Sequence, residues 1–313
     1  MNLTSWPIRR AIRRYPWEVP TKELRVTVCI GALCEHGKAI VSVSDNKVSF
    51  RDFSGEHMSL KNEPFWGQWT VMSSGDDVSH VTPIVDRAYE QLADLLHVRQ
   101  KSKGKKRPTL SQREVVDALD EACHWQLTGE IERIVLRRFG ISIAEFTSKG
   151  KTYFTDDEHA DICRRIEAID LGQLVLLLAG FDRYGQGHLW TIDGLSAPRN
   201  YDQLGVFAIG SGAKSALSSI AFHSSQRHVR FGSNDVNRTI YFALAAKFMA
   251  ESASDVGRST FALISRAGRG VRPKREFIDD IDAVREGWEQ FGAPRNPTDF
   301  IKNQMPTLIK KGD

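Results

Sequence analysis

The chain lacks most of the short patterns that assign a function by themselves. Its four cysteines (Cys29, Cys34, Cys123 and Cys163) form no CxxC pair, so neither a zinc ribbon nor a disulfide scaffold is indicated. Free buried thiols in a reducing cytoplasm are the simplest reading. No apolar run approaches the roughly 18 residues of a membrane span. The N-terminus has no secretory apolar segment, because Arg9, Arg10, Arg13 and Arg14 follow Trp6. His57 and His80, or His223 and His228, have no partner at ligand spacing, so no metal is expected. There is no G-x-S-x-G for a serine triad, and no glycine-rich phosphate loop of the G-x-x-x-x-G-K-[ST] or G-x-G-x-x-G type. Excess charge is small too: 43 Lys and Arg against 39 Asp and Glu leave +4, which does not point to nucleic acid. These absences leave a cytoplasmic protein with no cofactor, no membrane and no nucleic-acid partner. At 41% hydrophobic and 26% charged residues, the 313-residue chain has an ordinary composition for one large globular domain or two small ones.

The hydrophobic pattern supplies the elements. Residues 25–34 and 39–45 read as strands joined by a tight turn at Glu35-His36-Gly37-Lys38, and a further strand pair is expected near 58–61 and 69–73. Helical spacing of Val78, Val81, Ile84, Val85, Ala88, Leu92 and Leu95 predicts a helix over 78–97. Ser111 is a capping residue for a second, over 111–139. Residues 140–170 are polar, with one short helix starting near 155–158. The apolar run 173–179 predicts a strand buried on both faces, paired as a hairpin with 188–193. A strand at 206–212 runs into the Gly210-Ser211-Gly212 turn, followed by helices over 213–222 and 235–252, a strand at 259–265 and a charged tail with one helix at about 278–291. Grouped strands and grouped helices predict an α+β fold with antiparallel sheets covered by helix pairs.

Four pieces in this order resemble the proteasome-like N-terminal-nucleophile (Ntn) hydrolases, in their β-type subunits. They are Thr27-Val28-Cys29-Ile30-Gly31 with the Gly37 turn and a strand to Asp45; Lys61 and the later Ser74-Gly75-Asp76; Ala179-Gly180-Phe181-Asp182 with the hairpin to Asp193; and Ala208-Ile209-Gly210-Ser211-Gly212 with Asp255-Val256-Gly257. The resemblance spans about 25–270. It implies a four-layer αββα sandwich over 27–272, an N-terminal extension or propeptide at 1–26 and a C-terminal tail at 273–313. It further implies a homo-oligomeric ring, a peptide or protein substrate and a threonine-type peptidase or amidase; a regulatory ATPase is left open.

Carried over residue by residue, the resemblance makes Thr27 the nucleophile, Asp45 the orienting carboxylate, Lys61 the ammonium, Ser211 the serine beside the nucleophile and Asp255 its support. Gly75 would supply the oxyanion N–H, with Ser74 the neighbouring choice. In this class the base is the nucleophile's own freed α-amine, so residues 1–26 must be removed. Val26 stands where self-processing members carry Gly. The stretch from Gly37 to Asp45 is about two residues longer than the family pattern and calls for a β-bulge or a shifted register, and a one-residue slip would turn Asp45 away from the site. Arg258 and Ser259 occupy the region where a serine is expected. Cys29 is a competing nucleophile or a small core residue. The plainer readings are a strand threonine at 27, a turn aspartate at 45, a solvated edge lysine at 61 and a tight turn at 210–212. A non-catalytic subunit that keeps its N-terminus, as scaffold or gate of a ring, is the alternative function. The tail aromatics Trp288, Phe291 and Phe300 are expected to cover a neighbouring subunit.

Overall fold

Side-chain alternation along the first strand sets the architecture. In the computed structural model, which describes residues 27–50, 53–56, 61–103, 110–227, 230–252, 256–268, 273–291, 299, 301 and 309–311, both faces of that strand are buried. The strands of the first half are β1 (Cys29–Cys34), β2 (Ala39–Asp45), β3 (Lys47–Phe50), β4 (Phe53–Glu56), β5 (Asn62–Pro64) and β6 (Trp69–Ser74). Helices α1 (Val81–Lys103), α2 (Gln112–Ile131), α3 (Ile143–Tyr153) and α4 (Asp156–Glu167) follow. Then come β7 (Val175–Phe181), β8 (Gly187–Ile192), β9 (Arg199–Asn200), β10 (Val206–Ile209), α5 (Ala213–Arg227), α6 (Val236–Ala250), β11 (Thr260–Arg266), β12 (Lys274–Ile278), α7 (Ile281–Phe291) and β13 (Ile309–Lys311).

Two antiparallel sheets carry the fold, in the orders β10-β1-β2-β11-β12-β13 and β5-β6-β7-β8-β9, with β3 and β4 as a separate hairpin. Three apolar clusters account for the packing. Val28, Ile30 and Ala32 of the β1 segment, with Val41 and Val43 of β2, pack with Tyr241, Phe242 and Leu244 of α6 and Val284 of α7. On the other face Cys29, Leu33 and Ile40 meet Met72, Leu177 and Leu189 of the second sheet. The outer face of that second sheet, through Val71, Leu176, Leu178 and Ile192, packs against Ile84 and Leu92 of α1 and Val116 and Leu119 of α2. Each fully buried large side chain of this kind is worth roughly 1.5–3 kcal/mol relative to exposure. Gly180 faces Trp69 across the β6–β7 pair, and a Cβ there would lie 2.7 Å from the Trp69 Cα, so the indole fills the space that glycine leaves. No helix among the described residues is long and apolar enough to cross a membrane.

Several expectations need correction. The β1–β2 pair keeps one uninterrupted register from Cys29↔Ser44 to Cys34↔Ala39, so no bulge is present. Glu35 and His36 of the turn both adopt positive φ. The strand before β6 is Asn62–Pro64, whereas 58–60 lie outside the described residues. Residues 140–170 hold two helices, not one, because Ser142 accepts from the Glu145 N–H and caps α3 as Thr155 caps α4. The tail at 273–313 carries strands as well as its helix: β12 pairs with β11 and β13 with β12, extending the first sheet. Trp288 packs on Phe248 of the same chain, with ring centroids 5.5 Å apart. Phe300 and the side chain of Phe291 lie outside the described residues.

A polar cluster ties β8 to the loop after β9. His188 Nδ1 lies 2.6 Å from Asp202 Oδ2, and Nε2 lies 3.7 Å from Asp182. Burial pushes the imidazolium down, but the bond and charge of Asp202, with Asp182, outweigh it and raise His188 above its ordinary 6.5. Asp202 is held below its ordinary 3.8: burial opposes this, and bonds from His188, Asn200 and the Leu189 N–H prevail. A raised histidine stabilises fully below its unfolded value and loses that contribution as pH rises through the folded one; a depressed aspartate does so in the opposite sense at the acid end. His188→Asn is therefore expected to open its widest stability gap from wild type at about pH 5–6, narrowing toward pH 8–9. Urea unfolding across this range checks it; a gap independent of pH would contradict it.

Candidate active site

The segment ahead of β1 is held at one end of the first sheet by the turn between β10 and α5. Thr27 donates its N–H to Ser211 Oγ at 3.1 Å, and its carbonyl accepts from the Gly212 N–H at 3.2 Å. Gly210 takes φ +94°, and a Cβ there would stand 2.1 Å from the Thr27 carbonyl oxygen. Only glycine lets the turn come this close. The Gly-Ser-Gly sequence is thus a cradle for residue 27, and Thr27 is buried but not mid-strand.

Asp45, the last residue of β2, is completely buried. Its Oδ1 accepts from the Thr27 hydroxyl at 2.5 Å, from Lys61 Nζ at 2.8 Å and from the Val28 N–H at 3.1 Å. Its Oδ2 accepts from the Gly257 N–H at 3.3 Å. A buried carboxylate without such donors would be strongly disfavoured. Lys61 sits immediately before β5; its carbonyl accepts from the Ser73 N–H, and Nζ also donates to Thr27 Oγ1. At 5% exposure it is not a solvated edge lysine.

Thr27, Asp45, Lys61 and Ser211 are therefore in one hydrogen-bonded cluster. Gly75 is not bonded to any of them among the described residues: it follows β6 of the second sheet, and its lack of a side chain is required by Leu174, whose Cα would be 2.9 Å from an added Cβ. Asp255 lies outside the described residues. Ser259 bonds Asn46, accepting from Nδ2 at 3.2 Å, so it braces the residue after Asp45 and not Thr27 itself. Cys29 points between the sheets, donates to the Ser73 carbonyl at 3.5 Å and is pushed up to about 12, chiefly by burial. A thiol held in that state is a core residue and a poor nucleophile.

Sequence reasoning missed a charged cluster behind Asp45. Lys247 of α6 is completely buried; its Nζ donates to the carbonyls of Gly257 at 2.7 Å and Arg258 at 2.9 Å and pairs with Glu251. Arg285 of α7 donates to Glu251 at 2.5 and 2.8 Å and to the Arg258 carbonyl at 2.9 Å. Burial, offset by Glu251, brings Lys247 down from 10.5 to about 8. A lysine inside the otherwise apolar Leu-Ala-Ala-Lys-Phe stretch was the available signal.

Chemically, the cluster presents a threonine hydroxyl to a carboxylate and an ammonium in a desolvated setting, with its own nitrogen fixed by a serine. Among the described residues no group of three or more His, Cys, Asp or Glu side chains is placed to hold a metal ion. No protein-family model matches the chain, and no curated protein matches it.

The burial of the Lys61–Asp45 pair decides the expected cost of breaking it. Removing one partner of a buried pair costs about 3–5 kcal/mol, against about 0–1 kcal/mol for an exposed one. Lys61→Ala is expected in the first range by denaturant unfolding; a loss under about 1 kcal/mol would place the lysine in solvent.

Proposed function

We propose that this chain is a proteasome-like threonine-type Ntn hydrolase that cleaves peptide or amide bonds after residues 1–26 are removed. The observation that carries the reading is the Thr27 hydroxyl shared between Asp45 and Lys61 while Ser211 accepts from the Thr27 nitrogen. The packing supports it as well: three stacked apolar clusters, helix against sheet, sheet against sheet and sheet against helix, suit a four-layer αββα sandwich.

In the uncleaved chain the nitrogen of residue 27 is an amide and cannot act as a base. Maturation is an intramolecular transfer. Thr27 Oγ attacks the Val26 carbonyl, the Oγ–C bond forms, the C–N bond breaks, and the hydroxyl proton ends on the departing nitrogen. Water then hydrolyses the ester, releasing residues 1–26 with a carboxylate and freeing both the hydroxyl and the amine of Thr27. In turnover the freed amine, with a reference pKa near 8, takes the hydroxyl proton as Oγ attacks the substrate carbonyl. The leaving amine departs with that proton, and water hydrolyses the acyl-enzyme. Lys61 stabilises the developing alkoxide, Asp45 holds Lys61, and Ser211 orients the amine. Gly75 is assigned the oxyanion N–H in this proposal. A homo-oligomeric ring in the cytoplasm is part of the same reading.

One feature favours the alternative, a non-catalytic ring subunit that keeps its N-terminus. Val26 is β-branched and stiffens the scissile position where Gly would be free to bend. Intact mass of the purified protein separates the two. The hydrolase reading expects a chain beginning at Thr27, and the uncleaved chain from Thr27→Ala. Full-length wild-type protein after prolonged incubation supports the scaffold reading.

A further inference from the structure

The Asp45 carboxylate is oriented from two sides. Oδ1 faces Thr27, Val28 and Lys61, and Oδ2 receives the Gly257 N–H. Gly257 has no side chain to fix its backbone, and glycine is the residue with the widest choice of φ and ψ. Its orientation is set from behind, where Lys247 Nζ holds its carbonyl and that of Arg258. Lys247 is in turn held by Glu251, and Arg285 grips both Glu251 and the Arg258 carbonyl. Arg285 also lies over the Phe248 ring, 4.2 Å from its centroid, which locks α7 onto α6.

We propose that Lys247 is a positioning residue for Asp45, acting through the backbone on either side of the Gly257 Cα, and that Glu251 and Arg285 make α7 part of the active-site scaffold. This rests on the hydrolase reading, because the geometry being held is that of the Thr27–Asp45–Lys61 cluster. A lysine that merely capped the end of α6 would need only the α6 carbonyls. This one reaches to the connection before β11 and fixes the residue whose N–H meets the carboxylate.

The test uses the processed chain and a peptide epoxyketone, which reacts with the hydroxyl and the free amine of one N-terminal threonine. Binding of the peptide and the rate of bond formation are separated by varying its concentration. Lys247→Met, which keeps length and loses the donors, is expected to lower the maximal labelling rate at least tenfold while the half-saturating concentration stays within about twofold. Arg285→Met leaves Lys247 in place and is expected to lower the rate by a smaller factor with the same split. It also serves if Lys247→Met does not fold by circular dichroism. Equal rates in wild type and a folded Lys247→Met, or a change confined to half-saturation, overturn the positioning role and leave the hydrolase reading standing. No labelling of the processed wild type overturns both.

Discussion

The carboxylate of Asp45 is the constraint on which the site depends. It has no contact with water, and its charge is matched by Lys61 and by donors from the Thr27 hydroxyl, Val28 and Gly257. Desolvation of this order is tolerated only when nearly every lone pair is used. The segments that supply those donors are far apart in sequence, so satisfying one side chain brings together the start of β1, the end of β2, the residue before β5 and the connection ahead of β11. The geometry of this cluster and the stability of this end of the sheet are therefore the same problem.

The surrounding fold serves that geometry. The uninterrupted β1–β2 register places Asp45 opposite Val28, and β11 pairs with the other side of β2, from Thr260↔Asp45 onward. The β10–α5 turn closes over the Thr27 backbone because Gly210 leaves room for it, while Gly212 leaves room for the side chains of Val256, Ala250 and Val28. From behind, α6 and α7 contribute Lys247, Glu251 and Arg285, polar groups at the border of an apolar cluster. Buried ionic groups of this kind are weak contributors to net stability. Their value here lies in holding the carbonyls of Gly257 and Arg258, next to the N–H that meets Asp45.

The sequence made some of this legible and hid the rest, for physical reasons. Thr27, Asp45, Lys61 and Ser211 could be named because the short pieces that hold them resemble the proteasome-like pattern in order and spacing; read alone, each was a strand, turn or edge residue. The strands and long helices were readable from periodicity. The tail strand Lys274–Ile278 was not, because a pattern of Lys-Arg-Glu-Phe-Ile at half-exposed positions resembles a charged loop. Helix α3 was overlooked although Ser142 and Glu145 form an N-terminal signal. The bulge inferred from the length of the stretch from Gly37 to Asp45 is absent, since β2 pairs with β1 without a break from Ala39 to Ser44. The Lys247 cluster depends on α6, α7 and the connection before β11 meeting in space, which no spacing reports. The burial of Lys61 could not be read either, because an edge lysine and a buried one look alike in sequence.

The central claim is that the hydroxyl and freed amine of Thr27 act as nucleophile and base. The most direct measurement is the location of a covalent adduct: the protein is treated with a peptide epoxyketone, digested, and the modified residue identified by tandem mass spectrometry. The account predicts one adduct per chain, on an N-terminal Thr27 and joined through both its oxygen and its nitrogen. An adduct on Cys29 or at any other residue, or a mature chain that begins elsewhere and still turns over substrate, would contradict it.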